Sequence, residues 1–245
     1  MKKLFILLAA VAVSVFANAK DEVIITEGNV KFMQEPGKTA IVEINFPNTQ
    51  VVEFDGKKVK EDFGTIDQYL RAHNDDWTAT MVAEGAAGMD VDIVAQRKQM
   101  MASYNGMTFN RENKKGMKFL ASETMQNTAA YYDAKQKAKM EKYGMVYGDR
   151  ANADYKFVLT IDTIDMGSNS GAALNIAFGA FAKEAGGAIV VGSMEAIDMK
   201  TNEVIAKFRL NQVKGDSGMT PDARMQLVLD EIFAKELLPI SKKKK

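Results

Sequence analysis

Between Thr39 and Phe46 the chain reads TAIVEINF, in which Ala40, Val42, Ile44 and Phe46 alternate with Ile41, Glu43 and Asn45. A period of two belongs to a strand with one buried face. VIITEGNVKFM before it and QVVEF after it predict shorter strands, with turns at Pro36-Gly37 and Pro47-Asn48. The period then lengthens. Ile66, Tyr69, Leu70, His73, Trp77 and Met81 fall on one helix face, and HNDD within the run places a cap for a second piece at Asp75 or Asp76. A further helix is predicted from about Met89 to Tyr104, with Ile93, Val94, Met100, Met101 and Tyr104 inward. KGMKFLAS predicts a short strand, and SETMQNTAAYYDAKQKAKMEKYG a solvent-facing helix with no sustained heptad.

The C-terminal third has the clearest pattern. DYKFVLTIDTID alternates Tyr155, Phe157, Leu159 and Ile161 against Lys156, Thr160 and Asp162. VIAKFRLNQV places Val204, Ala206, Phe208 and Leu210 opposite Lys207, Arg209 and Asn211. KTNE before it is a turn in which Asn202 takes a left-handed conformation, so residues 188–199 and 204–213 form an antiparallel hairpin. Thr220 and Pro221 then open a helix with one stripe of Met225, Val228, Leu229, Ile232, Phe233 and Leu237, stopped by Pro239. This grouping predicts an α+β fold, an antiparallel-rich sheet with helices packed on it.

GAALNIAFGAFAKEAGGAIVVG, residues 171–192, is long and apolar in a chain that is otherwise mixed. As a membrane span it would hold Lys183 and Glu184 near its middle, each at a cost of ~2.5–3.5 kcal/mol. The run therefore divides into a short helix, 171–185, and the strand already described. Leu174, Ala177, Phe178 and Phe181 share one face of that helix. Two readings stand: the helix is buried against the sheet, or it docks on lipid or a second subunit through Leu174, Phe178 and Phe181.

The first 19 residues read as an export leader. Lys2 and Lys3 precede an apolar core from Leu4 to Phe16, shorter than the ~20 residues of a span, and Ala17-Asn18-Ala19 is a small-x-small cleavage pattern. The expected organisation is a leader at 1–19, one α+β domain at 20–238, and a basic tail at 239–245. Within the domain, strands at 22–54 precede a helical middle at 62–143 and a sheet-and-helix part at 153–238. The chain has no cysteine, which excludes disulfides and a lipid anchor attached through cysteine. Its 32 basic and 32 acidic residues become 30 and 32 without Lys2 and Lys3. That balance argues against nucleic acid as a partner, which would need a basic face. The tail, SKKKK, is a solvated end or an attraction to anionic lipid or polysaccharide.

ANADYKFVLTIDTIDMGSNSG and GAIVVGSMEAIDMKTNEVIAKFRLNQVKGDSG resemble the C-terminal part of uncharacterised exported proteins of Bacteroides-type bacteria, and TAIVEINFPNTQVVEFDGK resembles their N-terminal strand pair. More distantly, the order of strand, Gly-rich insert and hairpin is similar to envelope proteins of the curli-secretion lipoprotein type, in which the insert can build a pore wall. The chain departs from these patterns at Asn202, where glycine is usual, and at Lys214, which separates Val213 from Gly215. The anchoring cysteine of the curli type is missing, and the insert reads as helix. The resemblance implies no reaction.

Candidate chemistry is sparse. His73 is the one histidine, so any triad must use it, and it lies within an apolar stripe. Asp62 with Asp67, Asp90 with Asp92, and Asp162 with Asp165 are the carboxylate pairs on which a glycan hydrolase could rest. DTIDMGSNSG lacks the spacing of a calcium loop. The sixteen methionines are scattered as packing residues, with Met89, Met100, Met101 and Met107 the set to test for copper. The expectation is an exported binding or assembly protein of the periplasm or outer membrane, without catalytic residues, cofactor or metal. Its partner would be an envelope protein or a membrane surface; the oligomeric state stays open. The alternatives are a pore-assembly subunit and a carboxylate-dependent glycan hydrolase.

Overall fold

The computed structural model describes residues 22–35, 37–72, 92–103, 118–120, 145–146, 150–167, 187–218 and 221–237. Its strands are β1 (Val23–Gly28), β2 (Thr39–Asn45), β3 (Gln50–Asp55), β4 (Lys58–Thr65), β5 (Lys118–Leu120), β6 (Met145–Val146), β7 (Tyr155–Asp165), β8 (Gly187–Asp198) and β9 (Glu203–Ser217). Its helices are α1 (Ile66–Ala72), α2 (Ile93–Ala102) and α3 (Pro221–Asp230), which continues as a π-helical segment, Glu231–Leu237. The helix expected over 122–143 and the helix expected over 171–185 lie outside the described residues.

One sheet holds all nine strands, in the order β1-β9-β8-β7-β2-β5-β6, with β3 joining β7 and β4 joining β3. β7 is its spine. Along one edge it runs antiparallel to β8, from Tyr155 opposite Asp198 to Asp165 opposite Ile189. Its other edge is shared: β2 pairs parallel with Tyr155–Thr160, and β3 pairs parallel with Thr163 and Ile164. Between β2 and β3 the chain steps sideways at Asn48, whose φ is 48°. Thr49, fully buried, fills the step by donating its hydroxyl to the Ile161 carbonyl at 2.6 Å.

The sheet is mixed and not antiparallel-rich: four of its pairings are antiparallel and four parallel. The α+β class stands, but β2 and β3 do not form a local meander. They return to β7, more than a hundred residues later, and an alternating pattern is the same whichever direction its partner runs. The strand expected through Met33 is also shorter. β1 ends at Gly28, φ 72°, where a side chain would collide with the Ile205 carbonyl, and Lys31–Gln34 turns as a 3-10 helix that buries Phe32 and Met33.

One face of the sheet carries the core. Phe157, Leu159, Ile161 and Ile164 of β7 lie beside Val190, Met194 and Ala196 of β8, then Ala206, Phe208, Leu210 and Val213 of β9, all buried. The stripe expected on the C-terminal helix covers them: Met225, Val228, Leu229, Ile232, Phe233 and Leu237 are fully buried. α3 can lie close on β9 because a Cβ at Gly215 would come within 2.6 Å of the Val228 nitrogen. Phe157 meets Phe233 edge-on at 5.3 Å, and Phe119 lies 5.1 Å from Phe233. Burying one such side chain is worth about 1.5–3 kcal/mol. Ile66 and Leu70 of α1 and Val94 and Met101 of α2 complete the helical layer.

Val204 is an exception to the expected alternation. Ile197 pairs with Val204 but Ala196 pairs with Ala206, so a bulge at residue 205 turns Val204 outward, 44 % exposed. That open face bears ion pairs, Lys156 with Glu43 at 3.3 Å and Lys207 with Glu27 at 2.9 Å.

Candidate functional site

Two polar clusters mark the two ends of β7. At its start, Asp154 stands one residue before the strand, and Lys38 and Thr39 lead into β2. The Asp154 carboxylate accepts from the Thr39 backbone N–H at 3.0 Å, the Thr39 hydroxyl at 3.3 Å and the Lys38 ammonium at 3.1 Å. Main-chain bonds complete the hub. Asp154 donates its N–H to the Thr39 carbonyl at 3.1 Å, Met199 donates to the Asp154 carbonyl at 2.9 Å, and Lys118 donates to the Lys38 carbonyl at 3.1 Å. One side chain thus sets the register of β2 against β7. Burial works against its charge, but the Thr39 amide and Lys38 outweigh burial and hold the carboxyl below its ordinary value. The bond from Lys38 to Asp154, and then the Asp154 charge, raise the lysine. Next to the hub, Tyr155 donates to Glu35 at 3.3 Å and lies 4.8 Å from Phe32. Burial first, then the Glu35 charge, raise the phenol.

At the far end, Asp165 accepts from the Phe54 N–H at 2.9 Å with one oxygen and from the Gly167 N–H at 2.8 Å with the other, joining β3 to the exit of β7. Arg224, 2 % exposed, reaches the same point from α3. Its Nη1 donates to the Met166 and Gly167 carbonyls at 2.7 and 3.1 Å, and its Nε to the Gly218 carbonyl at 2.7 Å. A third carboxylate, Glu22, accepts from the Lys214 N–H at 3.4 Å beside Gln212, whose φ is 47°. Burial raises its pKa, the Lys214 N–H opposes that, and Glu236 and Glu231 add to the rise.

Leu174, Phe178 and Phe181, the expected contact residues, lie outside the described residues, as do His73, Asp90, Met89 and Met107. The carboxylates that are described have local tasks. Asp62 accepts from the Gly64 N–H at 2.8 Å, Asp67 pairs with Lys98 at 3.0 Å, Asp92 caps α2 by accepting from Ala95 at 3.1 Å, and Asp162 is exposed at the β7 bulge. Met101 is buried in the core and Met100 is half-buried on the same helix. Among the described residues no group of three His, Asp or Glu could hold a metal ion, and no helix is long and apolar enough to cross a membrane.

Sequence reasoning missed Arg224 and Asp154. Arg224 carried a signal: it sits four residues before Val228 and beside Met225, within the apolar stripe of α3, where a charge must find partners. Asp154 carried none beyond its place before an alternating run.

No family model matches the chain, and no curated protein matches it. Among solved structures the chain is similar to a PelC dodecamer from Paraburkholderia phytofirmans, at 12 % identity and a TM-score of 0.31, over 90 % of this chain and 98 % of that one. A point variant of the same PelC aligns at 14 % identity and a TM-score of 0.27, over the same shares. Scores this low carry no argument about function.

Proposed function

We propose that this chain is an exported, envelope-associated binding or assembly protein that acts through the stretch 168–186, with Leu174, Phe178 and Phe181 as its contact residues. The observation that carries the reading is where that stretch is inserted. Asp165 is already opposite Ile189, so a short turn would suffice to join β7 to β8. The sequence spends nineteen residues there, apolar apart from Ser168, Asn169, Ser170, Asn175, Lys183 and Glu184. Both flanks are fixed, by Asp165 and Arg224 on one side and by pairing of Gly187 with Ser217 on the other. An apolar excursion from a braced sheet end suits contact with a membrane surface or an envelope protein. Export is supported by the leader pattern of residues 1–19. A hydrolase is disfavoured by the local tasks of Asp62, Asp67, Asp92 and Asp165.

Co-sedimentation with vesicles of mixed zwitterionic and anionic lipid tests the membrane form of the reading. The wild type should pellet with vesicles, and Phe178→Ser with Phe181→Ser should stay in the supernatant while keeping its circular dichroism. A wild type that stays soluble removes membrane docking.

A further inference from the structure

The edges of the sheet differ in how open they are to another strand. β6 has two residues, too few to template a partner, and β1 is broken by a bulge at Thr26. β4 is the long edge: eight residues that pair with β3 and, among the described residues, with no strand on the other side. An edge of that length offers unpaired N–H and C=O groups to an arriving strand, that of a second copy included. Its apolar side chains add to the hazard, since Val59 is 54 % exposed and Phe63 37 %.

Two features of β4 oppose such an addition. The first is irregular backbone. Glu53 lies opposite Glu61 and Phe54 opposite Val59, so Lys60 is a surplus residue. Val52 lies opposite Asp62 and Gln50 opposite Thr65, so a second surplus residue falls at Phe63 or Gly64. Gly64 suits that place: its φ is 81°, Asp62 accepts its N–H, and a Cβ there would collide with the Gln68 amide oxygen. The second feature is charge, because Lys58, Lys60, Glu61 and Asp62 are all exposed.

The two features act together. In a regular strand, self-pairing about a twofold axis centred on Glu61 would set Lys60 opposite Asp62 and Val59 opposite Phe63, twice each. The surplus Lys60 spoils that match. Val59 and Glu61 are aligned with neighbouring residues of β3, so they no longer share a face. Registers centred on Lys60 or Asp62 set each of those charges against its own copy. We infer that β4 is a guarded edge, whose charges and bulges keep the strand of a second copy from extending the sheet there. Any assembly this chain enters therefore uses another surface.

The test replaces the guard and leaves the net charge unchanged: Lys58→Thr, Lys60→Thr, Glu61→Thr and Asp62→Asn together, the last keeping an acceptor for Gly64. The exposed Lys60–Glu53 pair is lost as well, at small cost to folding. Light scattering over a concentration series reads association, and hydrogen exchange reads whether residues 58–65 become protected as it occurs. The fourfold variant should associate at concentrations at least about tenfold below the wild type, equivalent to ~1.4 kcal/mol, with new protection in 58–65. Lys200→Thr with Glu203→Thr, in the exposed β8–β9 turn, is the control and should associate as the wild type does. If the fourfold variant does not fold, Lys60→Thr with Glu61→Thr carries the test. A folded variant that associates no more readily than the control, or one that associates without new protection in 58–65, overturns the inference.

Discussion

Replacing Asp154 by alanine removes the side chain that registers β2 on β7, and the size of the effect follows from its bonds. The bond from the Thr39 N–H to a carboxylate is charge-assisted, a class worth about 1.5–3 kcal/mol. The Thr39 hydroxyl at 3.3 Å adds less, and the half-buried Lys38 pair, still open to solvent screening, is counted as nothing. Asp154 is only partly shielded from water, which trims the sum to about 1–2 kcal/mol. With a urea slope near 2–3 kcal/mol per molar, the unfolding midpoint should fall by roughly 0.5 M. Asp154→Asn, which keeps one acceptor for Thr39, should lose about half as much. The pH dependence gives a second reading. The folded carboxyl titrates below its unfolded value of 3.8, so its contribution is complete above 3.8 and lost as pH falls through the lowered value. The gap between wild type and Asp154→Ala in urea should therefore be constant from pH 7 to about 5 and should narrow below 3.8. A midpoint unchanged at pH 7, or a gap that persists unaltered at pH 2, would refute the reasoning.

Two further variants test other parts of the account. Gly192→Ala places a Cβ into the Thr160 carbonyl of the adjacent strand, between backbones that cannot yield singly, and should cost about 2–4 kcal/mol in chemical denaturation. Glu22→Gln keeps an oxygen for the Lys214 N–H and removes a charge that burial disfavours. The folded value of Glu22 is raised, so the wild type gains stability as pH falls through it. The variant should be the more stable at pH 7, with the advantage vanishing near pH 4.

The C-terminal third was legible because its signals are local. Asn202 takes φ 58° in the turn expected of KTNE, and the hairpin and the helix stripe follow from spacing along one stretch. Helices at Ile66 and near Ile93 were legible from the same kind of spacing. The direction of β2 and β3 was not, because their partner lies more than a hundred residues away and side-chain alternation carries no sign. Val204 was misread because a single bulge at residue 205 inverts the strand's faces before it. Asp154 is a hub only because folding brings Lys38, Thr39 and Met199 to it. The contact candidates Leu174, Phe178 and Phe181 rest on sequence.

The central claim is that the 168–186 stretch is an addition to a sheet that closes without it, made for contact. The direct test deletes those nineteen residues, joins Gly167 to Gly187 through Asn-Gly, and follows urea unfolding and vesicle co-sedimentation on the same preparation. Shortening the connection should stabilise the sheet by about 1 kcal/mol through loop closure, leaving the midpoint at or above that of the wild type, while sedimentation with vesicles is lost. A deleted chain that fails to fold, or one that folds and still pellets with vesicles, contradicts the account.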